Sequence, residues 1–274
     1  MKNILAATDF SRASRNALNY AAEFAKKNKA KLILFHSYLP PVIVSDVPVI
    51  IPFEELEKKA MKALHRIAKS LSLKYGRFLE IEMVCKYGLP LDAIKSFSKE
   101  RKIDFIVMGM QGAGLIEERL VGSTATELIS ESKIPVITVG KRIKYKPLKK
   151  IVFASDLNEI NDKNILNPLK EISELFKSHI YILNVIKDDK TLPTISEAVA
   201  GIKLENVLKG YKHSFCSVEN KNVADGINAF IKKNKMDLVV MMPRKHSFFK
   251  SLFKERETKK VAFHTTVPML TLQD

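Results

Sequence analysis

Cysteine is scarce: Cys85 and Cys216 are the only two in 274 residues, and they stand far apart among strand-forming neighbours with no CxxC partner. That pattern does not make a disulfide-stapled scaffold or a thiolate metal site, and it reads as two reduced, buried thiols. Long apolar runs are missing as well, since none approaches the roughly 20 residues that span a bilayer. Asp9 falls where the apolar segment of a signal peptide would have to lie, so a cytoplasmic protein is expected and a membrane partner is not. His213, His246 and His264 show no metal-ligand spacing. Order alone yields no Ser-His-Asp set and no carboxylate pair, so no catalytic residue is nominated.

What is present is a globular composition, 46% hydrophobic and 28% charged, with a net charge of +16. A basic surface attracts nucleic acid, anionic lipid and phosphorylated ligands alike, so charge does not choose between them. At roughly 100 to 200 residues per domain the length suggests two compact domains, with one large domain as the alternative.

An internal repeat favours two. Ile4-Leu5-Ala6-Ala7-Thr8-Asp9-Phe10 returns as Ile151-Val152-Phe153-Ala154-Ser155-Asp156-Leu157, an offset of 147 from Asp9 to Asp156. Asp104-Phe105-Ile106-Val107-Met108 returns as Asp237-Leu238-Val239-Val240-Met241, an offset of 133 that also relates Ile134-Pro135-Val136 to Val267-Pro268-Met269. The length difference falls between the second and third strands, where the proline-rich stretch Pro40 to Pro52 reads as a surface loop. The units are drawn as 1–143 and 148–274, with Arg142 to Pro147 as linker.

In each unit apolar strand runs alternate with helical spacing. The runs are Ile4 to Ala7, Leu32 to His36, Ile81 to Cys85, Phe105 to Met108 and Val136 to Val139. Nearly continuous Val, Ile and Leu imply strands buried on both faces, hence a doubly wound parallel sheet. Ser11 is read as an N-cap, Asp92 as the cap of a helix starting near Ala93, and Asn158 and Asp225 as their counterparts. Ligands of such sheets bind at the carboxyl ends of the strands.

After the fourth strand come Gly109, Gly112 and Gly114, and then Gly122-Ser123-Thr124 opens a helix. Glycines let the backbone approach a phosphate, a helix N-terminus presents unpaired N–H groups, and the hydroxyls of Ser123 and Thr124 add donors. Leu115 stands where a Walker A lysine is needed, and Glu117 where a third Rossmann glycine would be, which removes both of those motifs.

The spacing Gly-x2-Gly-x9-Gly-Ser, with Thr8-Asp9-Phe10-Ser11 ending the first strand, resembles the ATP-binding pattern of the universal stress protein family. The resemblance covers essentially the whole chain as two tandem units. It implies a five-stranded parallel sheet per unit and units that associate through their last strands. It also implies that Ala7, Thr8 and Asp9 serve the adenine and ribose and the Ser37 backbone holds the adenine edge. Gly109 would lie near the ribose and first phosphate, Gly112, Gly122, Ser123 and Thr124 would hold the phosphate chain, and Met108 would line the pocket. His36, ending the second strand, would lie beside it.

The second unit departs from this pattern, with Met242, Lys245, Glu255, Arg256 and Glu257 at the positions of Gly109, Gly112, Gly122, Ser123 and Thr124. The leading expectation is therefore an ATP-binding first unit, with Mg left open, and a structural or partner-facing second unit. The two would form an intramolecular pseudo-dimer, with a further homodimer left open. Two alternatives stand: slow ATP hydrolysis or autophosphorylation at Ser123 or Thr124, and nucleic-acid or anionic-surface binding through the basic and aromatic segment Arg244 to Lys254.

Overall fold

The computed structural model describes residues 1–40, 52–76, 78–110, 123–157, 160, 162–186, 195–242 and 265–273. The first half runs β1 (Asn3–Ala7), α1 (Arg12–Asn28), β2 (Lys31–Tyr38), α2 (Phe53–Tyr75), β3 (Ile81–Tyr87), α3 (Pro90–Glu100), β4 (Phe105–Met110), α4 (Ser123–Glu131) and β5 (Val136–Gly140). The second runs β6 (Lys150–Ala154), a 3-10 turn (Lys163–Leu166), α5 (Asn167–Phe176), β7 (His179–Ile186), α6 (Ile195–Val207), β8 (His213–Glu219), α7 (Val223–Asn234), β9 (Leu238–Met241) and β10 (Met269–Thr271).

Among the described residues, ten strands form one sheet in the order β3-β2-β1-β4-β5-β10-β9-β6-β7-β8. Within each half every pairing is parallel, and the halves meet where β5 pairs with β10 antiparallel. On one face the α1, α2, α5 and α6 side chains share a single core that runs through both halves, with Phe24 stacked on Phe176 at 6.5 Å. On the other face α3 and α4 cover one cluster and α7 another.

The repeat extends to individual hydrogen bonds. Asp104 Oδ2 accepts from the amide of Asn3 at 2.9 Å, clasping the start of β1 to β4, and Asp237 Oδ2 does the same for Lys149 and Lys150 at the start of β6. The Ile106 amide donates to Pro135 O, and the Val239 amide donates to Pro268 O. Ser132 and Thr265 fold the turn before the last strand in the same way, each bonding the residue two positions on.

Some local expectations need correction. The third helix begins at Pro90 with Leu89 as N-cap, so Asp92 lies in its first turn, where its charge suits the helix dipole without capping. Asp225 likewise sits inside α7, whose cap is Asn222, accepting from the amides of Ala224 and Asp225. Asn158 lies outside the described residues. The cysteines occupy the two outermost strands, β3 and β8, free and half-buried, and burial raises the Cys85 thiol to about 11. Among the described residues no helix is long and apolar enough to cross a membrane, and no cluster of His, Cys, Asp or Glu could hold a metal.

Candidate functional site

In the first half the winding direction reverses between β1 and β4, so the crevice beyond their carboxyl ends is where a doubly wound sheet takes its ligand. The chain leaves β1 through a tight turn. The Thr8 amide donates to Phe35 O at 2.9 Å, and the Phe10 amide donates to Thr8 Oγ1 at 3.0 Å. Phe10 sits in the left-handed region at φ 64°, unusual for a bulky side chain. Ser11 then caps α1 by accepting from the Ser14 amide at 3.2 Å. The buried Thr8 and Ser14 hydroxyls meet at 3.0 Å.

This turn leaves Asp9 exposed at the mouth of the crevice, with its Oδ1 accepting from the Ser11 amide at 3.0 Å. Burial pushes the Asp9 carboxyl up, but the hydroxyls of Ser14 and Ser11 and the Ser11 amide together pull it below the ordinary carboxylate value. Asp9 is thus an ionised acceptor beside a helix N-terminus, suited to hydroxyl donors such as those of a ribose.

His36 belongs to the same site. Its Nδ1 lies 2.8 Å from Thr8 O, and because a carbonyl only accepts, Nδ1 carries the proton. When the ring is neutral, that tautomer makes Nε2 an acceptor. The Phe10 ring lies 4.4 Å from the imidazole and completes that wall. Order along the chain offers no signal for this contact beyond the position of His36 near a strand end.

Ala7, Thr8, Asp9 and Ser37 come together at the ends of β1 and β2. Met108 lies beside Ala7 in register but is buried in the core under α3 and α4. Gly109 is not in a loop after the strand, because β4 continues to Met110 and Gly109 pairs with Val139. A Cβ there would fall 2.6 Å from Ala13 C and 2.7 Å from Ser14 N, so the missing side chain is what lets the first turn of α1 approach β4. Thr124 is in the first turn of α4, which Ser123 opens; Gly112 and Gly122 lie outside the described residues.

The second half repeats the turn but not the approach. The Ser155 amide donates to Leu183 O at 2.9 Å, the Leu157 amide donates to Ser155 Oγ at 3.1 Å, and Leu157 is left-handed at φ 51°. Where Gly109 stands in the first half, Met242 is buried in the shared core. A side chain and a helical first turn cannot fill the same space. The helix start, which an offset of 147 would put at residue 159, is delayed to Asn167 behind a 3-10 turn. Lys245, Glu255, Arg256, Glu257 and the Arg244 to Lys254 segment lie outside the described residues.

Fold and geometry define a tandem, doubly wound α/β protein with its candidate site at the strand ends of the first half. Sequence comparison gives the family: the universal stress protein profile matches residues 1–140 and again 147–273, and the chain belongs to the universal stress protein family. A universal stress protein of Methanocaldococcus jannaschii is 29% identical over 150 residues, 51% of this chain and 82% of the relative. The crystal structure of a universal stress protein from Archaeoglobus fulgidus superposes with a TM-score of 0.73 at 18% identity, over 99% of this chain and 98% of that one. A universal stress protein solved in complex with cAMP matches 50% of this chain and 96% of its own, at 24% identity and a TM-score of 0.40.

Proposed function

We propose that the first half, residues 1–143, binds an adenine nucleotide of the ATP type and that the second, residues 148–274, serves as a structural or partner-facing half without a nucleotide. The observation that carries this reading is the placement of Asp9: an exposed, ionised carboxylate at the switch point between β1 and β4, with the capped N-terminus of α1 beside it. Asp9 would take the ribose hydroxyls, His36 Nε2 and the Ser37 backbone the base, and the α4 N-terminus with Gly112, Gly122, Ser123 and Thr124 the phosphates. Asp9 is the only carboxylate of the set, so a Mg ion would arrive on the phosphates. In the second half Met242 and the delayed start of α5 argue against an equivalent site. The antiparallel β5–β10 pairing supports a reading in which the two halves act as an intramolecular pseudo-dimer, a nucleotide-regulated stress protein of the cytoplasm.

The test is the nucleotide carried by purified protein. Wild type is expected to release an adenine nucleotide on denaturation, and Gly122→Glu, which copies the second half, is expected to release none. Equal release from both proteins overturns the assignment.

A further inference from the structure

The ten-stranded sheet ends on two unlike edges. β3 is guarded by charge, with Glu82 meeting Lys31 and Arg101, and Lys86 meeting Glu100. Such charges discourage an edge from pairing with another chain. β8 reads HSFCSVE, with no proline and no charge from Ser214 to Val218, and among the described residues no strand lies beyond it. Lys212 O accepts from the Ile180 amide and the Asn220 amide donates to Ile186 O, so the even-numbered residues serve β7. A parallel ladder engages alternate residues, which turns the N–H and C=O groups of Phe215 and Ser217 outward.

Beside that edge α6 shows solvent an apolar stripe. Ile195 is 86% exposed, Val199 46% and Ile202 63%, at spacing i, i+4 and i+7, and Phe215 of β8 is 45% exposed. Phe215 lies on α6's side of the sheet, because Cys216 and Val218 pack toward the α7 cluster while His213 reaches Glu205 of α6 at 2.9 Å. Together the four side chains expose on the order of 400 Å² of apolar surface, the size at which the largest patch on a monomer is often functional.

We propose that β8 and α6 dock a second copy of this chain, β8 pairing antiparallel with β8 about a two-fold axis through Cys216. The strand itself suits a second copy as occupant. Ser214 to Val218 carry no charge, so two chains of net charge +16 meet there without like charges opposed, α6 holds a single lysine, Lys203, and about this axis His213 comes opposite Glu219 of the second copy at both ends of the ladder. The spacing agrees. A helix over the β7–β8 junction lies about 4.8 Å from the axis, so two α6 helices come about 10 Å apart, the upper end of the range for packed helices. Doubling the apolar patch and adding the strand backbone approaches the ~1,000 Å² of a specific interface. The chain already makes this join within itself, where β5 meets β10 antiparallel and Phe24 of α1 stacks on Phe176 of α5.

Sedimentation equilibrium of the full chain under reducing conditions tests the proposal. Wild type is expected to approach twice the mass of one chain with rising concentration, and Ile202→Lys and Phe215→Lys to stay at one, while thermal unfolding at concentrations where wild type is a single chain is unchanged. The register is read by diamide, which takes up the two protons and two electrons released when two thiols join. Opposed residues of a non-hydrogen-bonded pair have Cα atoms about 4.5 Å apart, within disulfide reach. Wild type and Cys85→Ser are therefore expected to cross-link into a covalent dimer, and Cys216→Ser not. A wild-type monomer at every concentration, a dimer indifferent to Ile202→Lys, or cross-linking through Cys85 overturns the proposal.

Discussion

Replacing Gly109 by alanine places a methyl carbon 2.6 Å from Ala13 C, 2.7 Å from Ala13 O and 2.7 Å from Ser14 N. All three are backbone atoms of the first turn of α1, so no rotamer change relieves the clash, and the helix start must move. Overpacking a tight site costs roughly 1–3 kcal/mol, and with backbone as the obstacle the upper half of that range is expected. At about 2–4 °C per kcal/mol, thermal unfolding should fall by roughly 5–10 °C. Gly140→Ala is the control: its methyl would meet the end of the Ile143 side chain at 3.1 Å, an atom free to swing aside, and little change in stability is expected. Because the displaced turn carries Ser11 and Ser14, which hold Asp9 and Thr8, Gly109→Ala should also weaken nucleotide binding. Differential scanning calorimetry with and without ATP reads both effects. Unfolding of Gly109→Ala at the wild-type temperature would refute the close approach of α1 and β4.

Thr8→Val removes the hydroxyl that meets Ser14 Oγ and accepts from the Phe10 amide in a buried turn, and chemical denaturation should show a loss of about 1–3 kcal/mol. Three helices, α1, α5 and α7, end on a left-handed lysine, namely Lys29, Lys177 and Lys235. Glycine relieves the Cβ strain there, so Lys29→Gly should stabilise by up to ~1 kcal/mol by the same measurement. His213 is held above its ordinary pKa: burial lowers it, but the Tyr211 carbonyl and Glu205 raise it more. With the folded value above the unfolded one, its contribution is full below pH 6.5 and is lost as pH rises through the folded pKa. Unfolding of His213→Gln compared with wild type across that window should show the difference shrinking with rising pH.

The strands were legible because nearly unbroken Val, Ile and Leu runs carry their own signature, and the tandem order because Asp9 and Asp156, and Asp104 and Asp237, mark the same points of each half. The site was legible only where it is local. Ser11 capping α1 is a contact between near neighbours, and the pattern predicts it. The approach of Gly109 to Ala13 joins residues distant in the chain, and a glycine beside other glycines reads equally well as part of a phosphate loop. His36 donating to Thr8 O, and Phe10 taking a left-handed turn to pack on it, depend on the β1–β2 register, which no side-chain pattern encodes. Caps at Asp92 and Asp225 were misplaced because Asp suits a helical first turn as well as a cap.

The most direct measurement is calorimetric titration of ATP into nucleotide-stripped protein, with Asp9→Ala and Asp156→Ala run alongside. One site per chain, abolished by Asp9→Ala and untouched by Asp156→Ala, is the predicted result. Two sites per chain, or binding lost through Asp156 and kept without Asp9, would contradict the account.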